Sequence, residues 1–526
     1  MRRRSMKWLA VGVVVGALAL SGCSNSSSGG SNTAEKTLIS AVGDNPPNFN
    51  RYLGTGASTV IIGSGTFYEG LTQLDANYKP VPLLAKSWTV SADGLVYTFK
   101  LQDGITSQDG KPFTSADVKF DFEKLMPLSA QLAPITKQIN SVETPDATTV
   151  VVNFKTPYAP FLSALAGAWM IPEHIFTTKD IATDPANMKP IGTGPYKLDS
   201  FTPGDKAVLS RYDGYWGQKG DVNKIIFKVM PDTSARMLAL QSGDIDYLYG
   251  AYVDKAQQAQ LNKSKFDLPD VLGGKGSETV FFNTEREVVS NPQVRRAIYQ
   301  AIDKQAIVDK ALFGLGDAAR GPIPKAFSQL IDGSVDFTKE LPYSSSAAAA
   351  ALDQAGYKAD SSGNRFTLRL AFDSTQAVYS AIANLIQANL KAVGITVQLE
   401  ALDSKVWVDK TYTKRDFDMS LNGFFTFEDP SIGTTRLYTC NAGKVPYKNA
   451  SGTCDNVIDD AFTKAGQVTD PTERAKYFAI AEKRILETMP SMPLVSLNGY
   501  SVVDKKFNMD AANAVSSTAW ATIRSR

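Results

Sequence analysis

Residues 82–122 read PLLAKSWTVSADGLVYTFKLQDGITSQDGKPFTSADVKFDF, and they join three local structures with separate physical origins. Ser91-Ala92-Asp93-Gly94 is turn chemistry, after which Tyr97, Phe99 and Leu101 alternate with polar partners as in a half-buried strand. Asp109-Gly110 marks a second turn. Thr114 with Asp117 three residues later is a capping-box pattern, and Val118, Phe122 and Leu125 behind it fall on one helical face. Turn, strand, turn and capped helix are expected to form one compact unit.

Outward from this unit, the N-terminus carries Arg2, Arg3, Arg4 and Lys7, then an apolar run from Trp8 to Leu20, then Leu20-Ser21-Gly22-Cys23. The run is too short to cross a bilayer, so residues 1–22 read as a signal peptide. Small residues directly before a cysteine resemble the bacterial lipobox. That resemblance implies cleavage before Cys23 and acylation of its thiol and new amino group, with several chains on one residue giving a stable anchor. Residues 23–36, rich in Ser, Gly and Asn, read as a flexible tether.

Taking the four leader charges off the formal +2 of the whole chain leaves −2. Nucleic acid is therefore not an expected partner, because phosphate binding needs a basic surface. No later segment is long and apolar enough to span a membrane. With Cys23 lipidated, Cys440 and Cys454 remain as an even pair. In an extracytoplasmic chain a disulfide is the default reading, worth roughly 3 kcal/mol for a loop of this size, with free buried thiols as the alternative. The two cysteines lack nearby partners of the zinc type, so no metal site is expected.

A body of this length is too long for one ordinary core and predicts at least two lobes. Phe366, Leu368 and Leu370 alternate as a strand, Tyr379 to Val393 reads as a helix closed by Gly394, and Ile395, Val397 and Leu399 alternate again. Such a strand, helix, strand unit implies parallel pairing with a right-handed crossover. Ligands bind beyond the carboxyl ends of strands in such sheets, which puts Asp373-Ser374-Thr375 near a cleft. Thr37 to Val42 is likewise a short strand, running into the loop Asp44-Asn45-Pro46-Pro47-Asn48-Phe49.

The 82–122 stretch closely resembles the signature of the family 5 solute-binding proteins, the peptide- and nickel-binding components of ABC importers, and further landmarks follow in order. Gly192-Thr193-Gly194-Pro195-Tyr196, then Tyr215-Trp216-Gly217, resemble the family's GTGPY and YW elements. A phosphate loop is rejected for the former, since no helix with a Lys-Ser/Thr pair follows. Ala239 to Asp246 matches an element that ends a helix and starts a strand. Asn291-Pro292 opens a helix with Val294, Ala297, Ile298, Ala301 and Ile302 on one face and Gly314 just beyond its end. Ala347 to Gly356 is an Ala-rich helix with a glycine stop.

The resemblance implies an α/β, bilobed periplasmic-binding-protein clamshell of the cluster C type. Residues 37–75 with 192–278 and 497–526 would form the first lobe, 76–191 a subdomain inserted in it, and 279–496 the second lobe. Two connecting strands would act as the hinge. The implied function is capture of a small solute, oligopeptides first, for an ABC permease, by a monomer held outside the cytoplasm on the cell membrane by its lipid. A nickel chelate, a sugar or an opine is the alternative ligand class, and a sensor without transport the alternative role.

The implied ligand contacts begin with the loop of Asn48 and Phe49. Peptide-binding relatives carry a Gly-Trp followed by an Asp that pairs with the ligand's ammonium. The matching stretch here, Asn422-Gly423-Phe424-Phe425-Thr426-Phe427-Glu428-Asp429-Pro430, is one residue shorter, with Phe424 in the Trp place, Thr426 or Phe427 where the Asp belongs, and Glu428 or Asp429 as substitute carboxylates. Where dipeptide binders place an Arg for the ligand carboxylate, the alignment puts Asp373. These departures argue against a tight dipeptide clamp, and Phe424, Phe425 and Phe427 point to a more apolar pocket or to the packing of a strand. Trp407 and Trp169 are further aromatic candidates, each balanced between cleft and core.

A hydrolase is the reading from another class. The chain has one histidine, so a Ser-His or Cys-His pair would have to use His174, in Ile171-Pro172-Glu173-His174-Ile175, which resembles a structural element of the family. No G-x-S-x-G elbow occurs. Neither catalysis nor a cofactor is expected.

Overall fold

A computed structural model of the protein describes residues 36–54, 56–129, 131–250, 253, 255–270, 274–509 and 519–526. The leader, Cys23 and the tether up to residue 35 lie outside the described residues. Among the described residues no helix is long and apolar enough to cross a membrane.

Three larger sheets organise the chain. A seven-stranded sheet centres on Thr37–Val42, which pairs parallel with Lys224–Val229 on one side and Tyr247–Leu248 on the other. Its remaining strands are Lys206–Arg211, Tyr196–Thr202, Val502–Asp504 and Phe266–Asp267. The sheet therefore draws on both ends and the middle of the chain. The helix Thr233–Ser242 makes the crossover between its parallel strands, capped by Asp232 and stopped at Gly243, whose φ of 91° only glycine adopts readily.

A six-stranded sheet orders Gly316–Ala318, Ser491–Leu497, Gly276–Phe282, Met419–Phe425, Phe366–Asp373 and Ile395–Leu402. The last two pair parallel over eight residues, joined by the helix Ala377–Lys391. This is the strand, helix, strand unit that the alternation of apolar residues predicts. Gly394 at its return has φ 82°, and a Cβ there would come within 2.5 Å of the Gly363 carbonyl.

The 82–122 stretch builds the antiparallel four-stranded sheet Ala85–Val90, Val96–Leu101, Thr149–Phe154 and Ile139–Asp146. Tyr97, Phe99 and Leu101 are fully buried on one face, where Phe161 meets both rings edge-on. The helix Ser115–Phe120 begins with the predicted capping box: Thr114 accepts from the Ala116 N–H, and Asp117 accepts from the Thr114 N–H at 2.7 Å.

One expected helix is two. Asn291 caps Pro292–Ala301, whose apolar face is buried as predicted, but a second helix, Lys304–Lys310, follows with its own cap, Asp303. An Asp after an apolar stretch restarts a helix because its carboxylate satisfies the new orphan N–H groups. Gly314, with φ 77°, therefore follows the second helix and not the first.

The glycines of GTGPY serve close approach. A Cβ on Gly192 would lie 2.0 Å from the Phe67 carbonyl oxygen, and one on Gly194 2.3 Å from that of Thr66. The segments are tied by the Gly194 and Tyr196 N–H groups, each 3.0 Å from its acceptor. Beneath them Glu69, 1% exposed, accepts from Tyr215 Oη at 2.6 Å, Thr193 Oγ1 at 2.9 Å and Trp216 Nε1 at 3.0 Å. The GTGPY and YW motifs thus converge on one carboxylate. The structure also joins Cys440 to Cys454 as a disulfide.

Candidate functional site

The chain passes twice between the seven- and six-stranded sheets, after Phe266–Asp267 and after Ser491–Leu497. The two crossings lie side by side. Asp270 bridges Tyr500, the Gly499 N–H donates to Asp270 Oδ1 at 3.0 Å, and the Ser501 N–H donates to the Pro269 carbonyl at 3.0 Å. Backbone pairing at this point fixes where both sheets present side chains to the space between them.

Around the crossings stand aromatic and charged groups from several elements. Tyr78, in the turn after Thr72–Leu74, has φ 58° and is 4% exposed. It belongs to the core of the six-stranded sheet, its ring 5.5 Å from that of Phe327. Lys275, leading into Gly276–Phe282, carries its Nζ 4.9 Å from the Tyr78 ring centroid and makes no ion pair with another described residue. Burial pulls the Lys275 ammonium below its ordinary pKa, while Glu428 and Asp270 oppose that shift. The Tyr249 hydroxyl is pushed up by burial and by Glu428. Tyr78 is raised by burial, then by Asp270 and Tyr249. Lys275 thus feels both Glu428 and Asp270, each of which also acts on one of the two tyrosines.

Arg51 donates from Nη1 to the Gly167 carbonyl and its guanidinium sits 5.4 Å over the Trp169 ring. Glu428 reaches the same glycine, since a Cβ there would meet its Oε1 at 2.7 Å. Positive and negative side chains and aromatic faces thus come together here. Such a surface suits a ligand that carries both charges and an uncharged backbone between them.

The residues singled out from the sequence divide into two groups. Phe425 is 49% exposed and pairs with Gly276, and the Thr426 N–H donates to the Lys275 carbonyl at 3.1 Å. Both flank the charged cluster. Asn48 is half-buried and turns its Oδ1 back to the Asn50 N–H at 2.8 Å. The others sit in packed or paired surroundings. Phe49 is fully buried against Phe67 and Phe201. Phe424 packs edge-on to Phe281 under Arg436. Trp407 donates from Nε1 to Ser420 Oγ at 3.1 Å and meets Tyr412 edge-on, and Trp169 stacks on Tyr68.

Asp373 accepts from Ser404 Oγ at 2.5 Å and Thr375 Oγ1 at 2.7 Å. Burial disfavours its charge, but these bonds outweigh that and hold it below the usual carboxylate range. Asp429 is 3% exposed and forks onto Arg474 at 2.7 and 2.9 Å while capping Pro430–Gly433. His174 Nε2 lies 2.8 Å from Asp109 Oδ2, tying the Asp109-Gly110 turn of the opening stretch to the segment Glu173–Ile175.

Sequence reading did not single out Arg51, Tyr78, Tyr249 or Lys275. For Lys275 a signal existed: Gly273-Gly274-Lys275-Gly276 is a cation set among residues that let backbone come close. Nothing local marks Tyr78 or Tyr249.

Comparison with known proteins agrees with this architecture. The family model described as bacterial extracellular solute-binding proteins, family 5 Middle, matches residues 79–444. The glutathione-binding protein GsiB of Escherichia coli is 27% identical over 477 residues, covering 88% of this chain and 89% of that one. Among solved structures, the ABC transporter substrate-binding protein CtaP from Listeria monocytogenes superposes with a TM-score of 0.81 at 23% identity, covering 93% of this chain and 99% of that one. The periplasmic binding protein DppA from Helicobacter pylori, in complex with peptide STSA, gives 0.72 at 25% identity, covering 93% and 97%.

Proposed function

The chain belongs to family 5 of the bacterial extracellular solute-binding proteins, and from that membership we propose that it is the receptor of an ABC importer that captures oligopeptides. Its lobes are residues 37–75 with 192–278 and 497–526, carrying the inserted 76–191, and residues 279–496. The strand membership of the three sheets supports that division. Cys23 anchors the mature protein by its lipid on the outer side of the cell membrane, as the lipobox pattern suggests. A permease complex takes over the ligand.

The observation that carries the peptide reading is that Lys275 feels both Glu428 and Asp270, while Glu428 also reaches Gly167, whose carbonyl accepts from Arg51. A short peptide presents an ammonium, a carboxylate and amides between them. Lys275 receives the carboxylate, Glu428 the ammonium, and the Tyr78 and Tyr249 rings flank the backbone. The glutathione-binding and peptide-bound relatives support the same ligand class. A ligand touching both lobes favours the closed arrangement by its differential affinity, and the permease reads that shape.

The test is to denature the purified protein and identify the released small molecules by mass spectrometry. Mixed short peptides are expected. A charge-assisted hydrogen bond contributes about 1.5–3 kcal/mol, so Lys275→Ala is expected to weaken peptide binding roughly ten- to a hundredfold. A single non-peptide compound, whether nickel chelate, sugar or opine, would discard the peptide assignment while keeping the transport receptor.

A further inference from the structure

A cavity of about 260 Å³ lies away from the strand crossings, between residues flanking the four-stranded sheet and the helix Asn456–Gln467. Gln138, Thr156 and Tyr158 line one wall, Thr439, Phe462 and Gln467 the other. None of the described lining residues is charged, in a chain where Asp, Glu, Lys and Arg make up 21%. The nearest charges, Arg474 donating to the lining Ser431 Oγ at 3.0 Å and Asp429 beside it, are committed to each other in a fork, so a charged ligand is disfavoured.

The polar groups present are amides and hydroxyls, which both donate and accept. The side chains of Thr439 and Gln467 make no hydrogen bond to another described residue, so both are available. Tyr158 and Phe462 supply aromatic faces. The volume is just below the range of about 300–1,000 Å³ typical of drug-sized ligands, so the occupant is small. The geometry points to a second binding site, for a small neutral polyhydroxylated ligand such as a monosaccharide or cyclic polyol. Its hydroxyls meet Gln138, Thr439 and Gln467, and its apolar face meets the rings.

The walls of this site pack against different hydrophobic cores, Tyr158 on one and Phe462 in the other, and are joined at its edge. The Ala159 N–H donates to the Gly466 carbonyl at 2.8 Å. A Cβ on Gly94 would touch both Pro157 and Thr469, at 3.3 and 3.7 Å. A ligand bridging the walls therefore favours the arrangement in which they meet. If the lobes close as proposed above, a premise on which this second part rests, occupancy couples to closure, and the coupling is reciprocal with ligand binding in the main cleft.

The experiment is calorimetric titration of the purified chain, freed of bound solute, with D-glucose, sorbitol and myo-inositol, and with gluconate and glucosamine as charged counterparts. Saturable binding of at least one neutral probe is expected, with the charged probes about tenfold weaker or worse. Losing one hydrogen bond of about 1–1.5 kcal/mol corresponds to roughly tenfold in affinity, so Gln467→Ala and Thr439→Val should each show such a loss. Lys339→Ala, at an exposed position outside the walls, should leave it unchanged. Absence of binding by all three neutral probes, equal binding of gluconate, or unaltered binding in both wall variants would overturn the site. X-ray scattering separates the second part: the bound probe should lower the radius of gyration. Binding without that change would sink the coupling to closure and leave the site standing.

Discussion

Replacing Glu69 with Gln is predicted to remove a pH dependence of stability. Burial raises the Glu69 carboxyl from 4.5 to about 7 against the lowering effect of its bonds from Tyr215, Trp216 and Thr193. The unfolded chain releases this proton near pH 4.5, while the folded chain holds it until about pH 7. Between those values the native state binds more protons, so its stability falls as pH rises and levels off above 7. At about 1.4 kcal/mol per tenfold difference in proton affinity, the decline amounts to roughly 3 kcal/mol. Glu69→Gln has no such proton to lose, and the Tyr215 hydroxyl can turn to accept from the new amide.

The assay is guanidinium unfolding of both proteins from pH 4 to pH 8, followed by tryptophan fluorescence, since Trp216 donates to Glu69. Glu482, also buried and raised to about 8, is common to both proteins and cancels in the difference. The variant should gain about 3 kcal/mol on the parent across the window. A difference that stays flat, or one that grows in the parent's favour with pH, would refute the reasoning.

Asp429→Ala leaves the Arg474 guanidinium buried without its fork and is expected to cost about 3–5 kcal/mol. Arg474→Met in the same chain should recover much of that loss, and a double-mutant cycle in urea measures the coupling. Gly192→Ala forces a methyl against the Phe67 carbonyl and should lower stability by about 1–3 kcal/mol or more, read as a shift in thermal midpoint. Cys440→Ser opens the loop to Cys454 and should cost roughly 3 kcal/mol in the chain-entropy description, checked against reduction of the parent by dithiothreitol.

Much of the fold was legible because its signals are local. The capping box at Thr114, the alternation of Tyr97, Phe99 and Leu101, and the parallel unit from Phe366 to Leu402 each depend on neighbours a few residues apart. The helix after Asn291 was read too long because a face pattern survives a break, whereas the cap at Asp303 starts a new helix. The GTGPY glycines were visible as a motif, but their reason was not: they yield to the backbone of Thr66 and Phe67, more than a hundred residues earlier.

The α/β class, most of the elements and their caps are legible along the chain, because hydrophobic period and turn chemistry act over a few residues. Which side chains meet near the strand crossings depends instead on how distant segments pack in the folded chain. Tyr78, Tyr249, Lys275 and Glu428 are scattered over 350 residues of chain, and each looks ordinary in its own neighbourhood. Their common environment arises from pairing of the two crossings. It is burial among distant partners, and not local pattern, that shifts the titration of Tyr78, Tyr249 and Lys275.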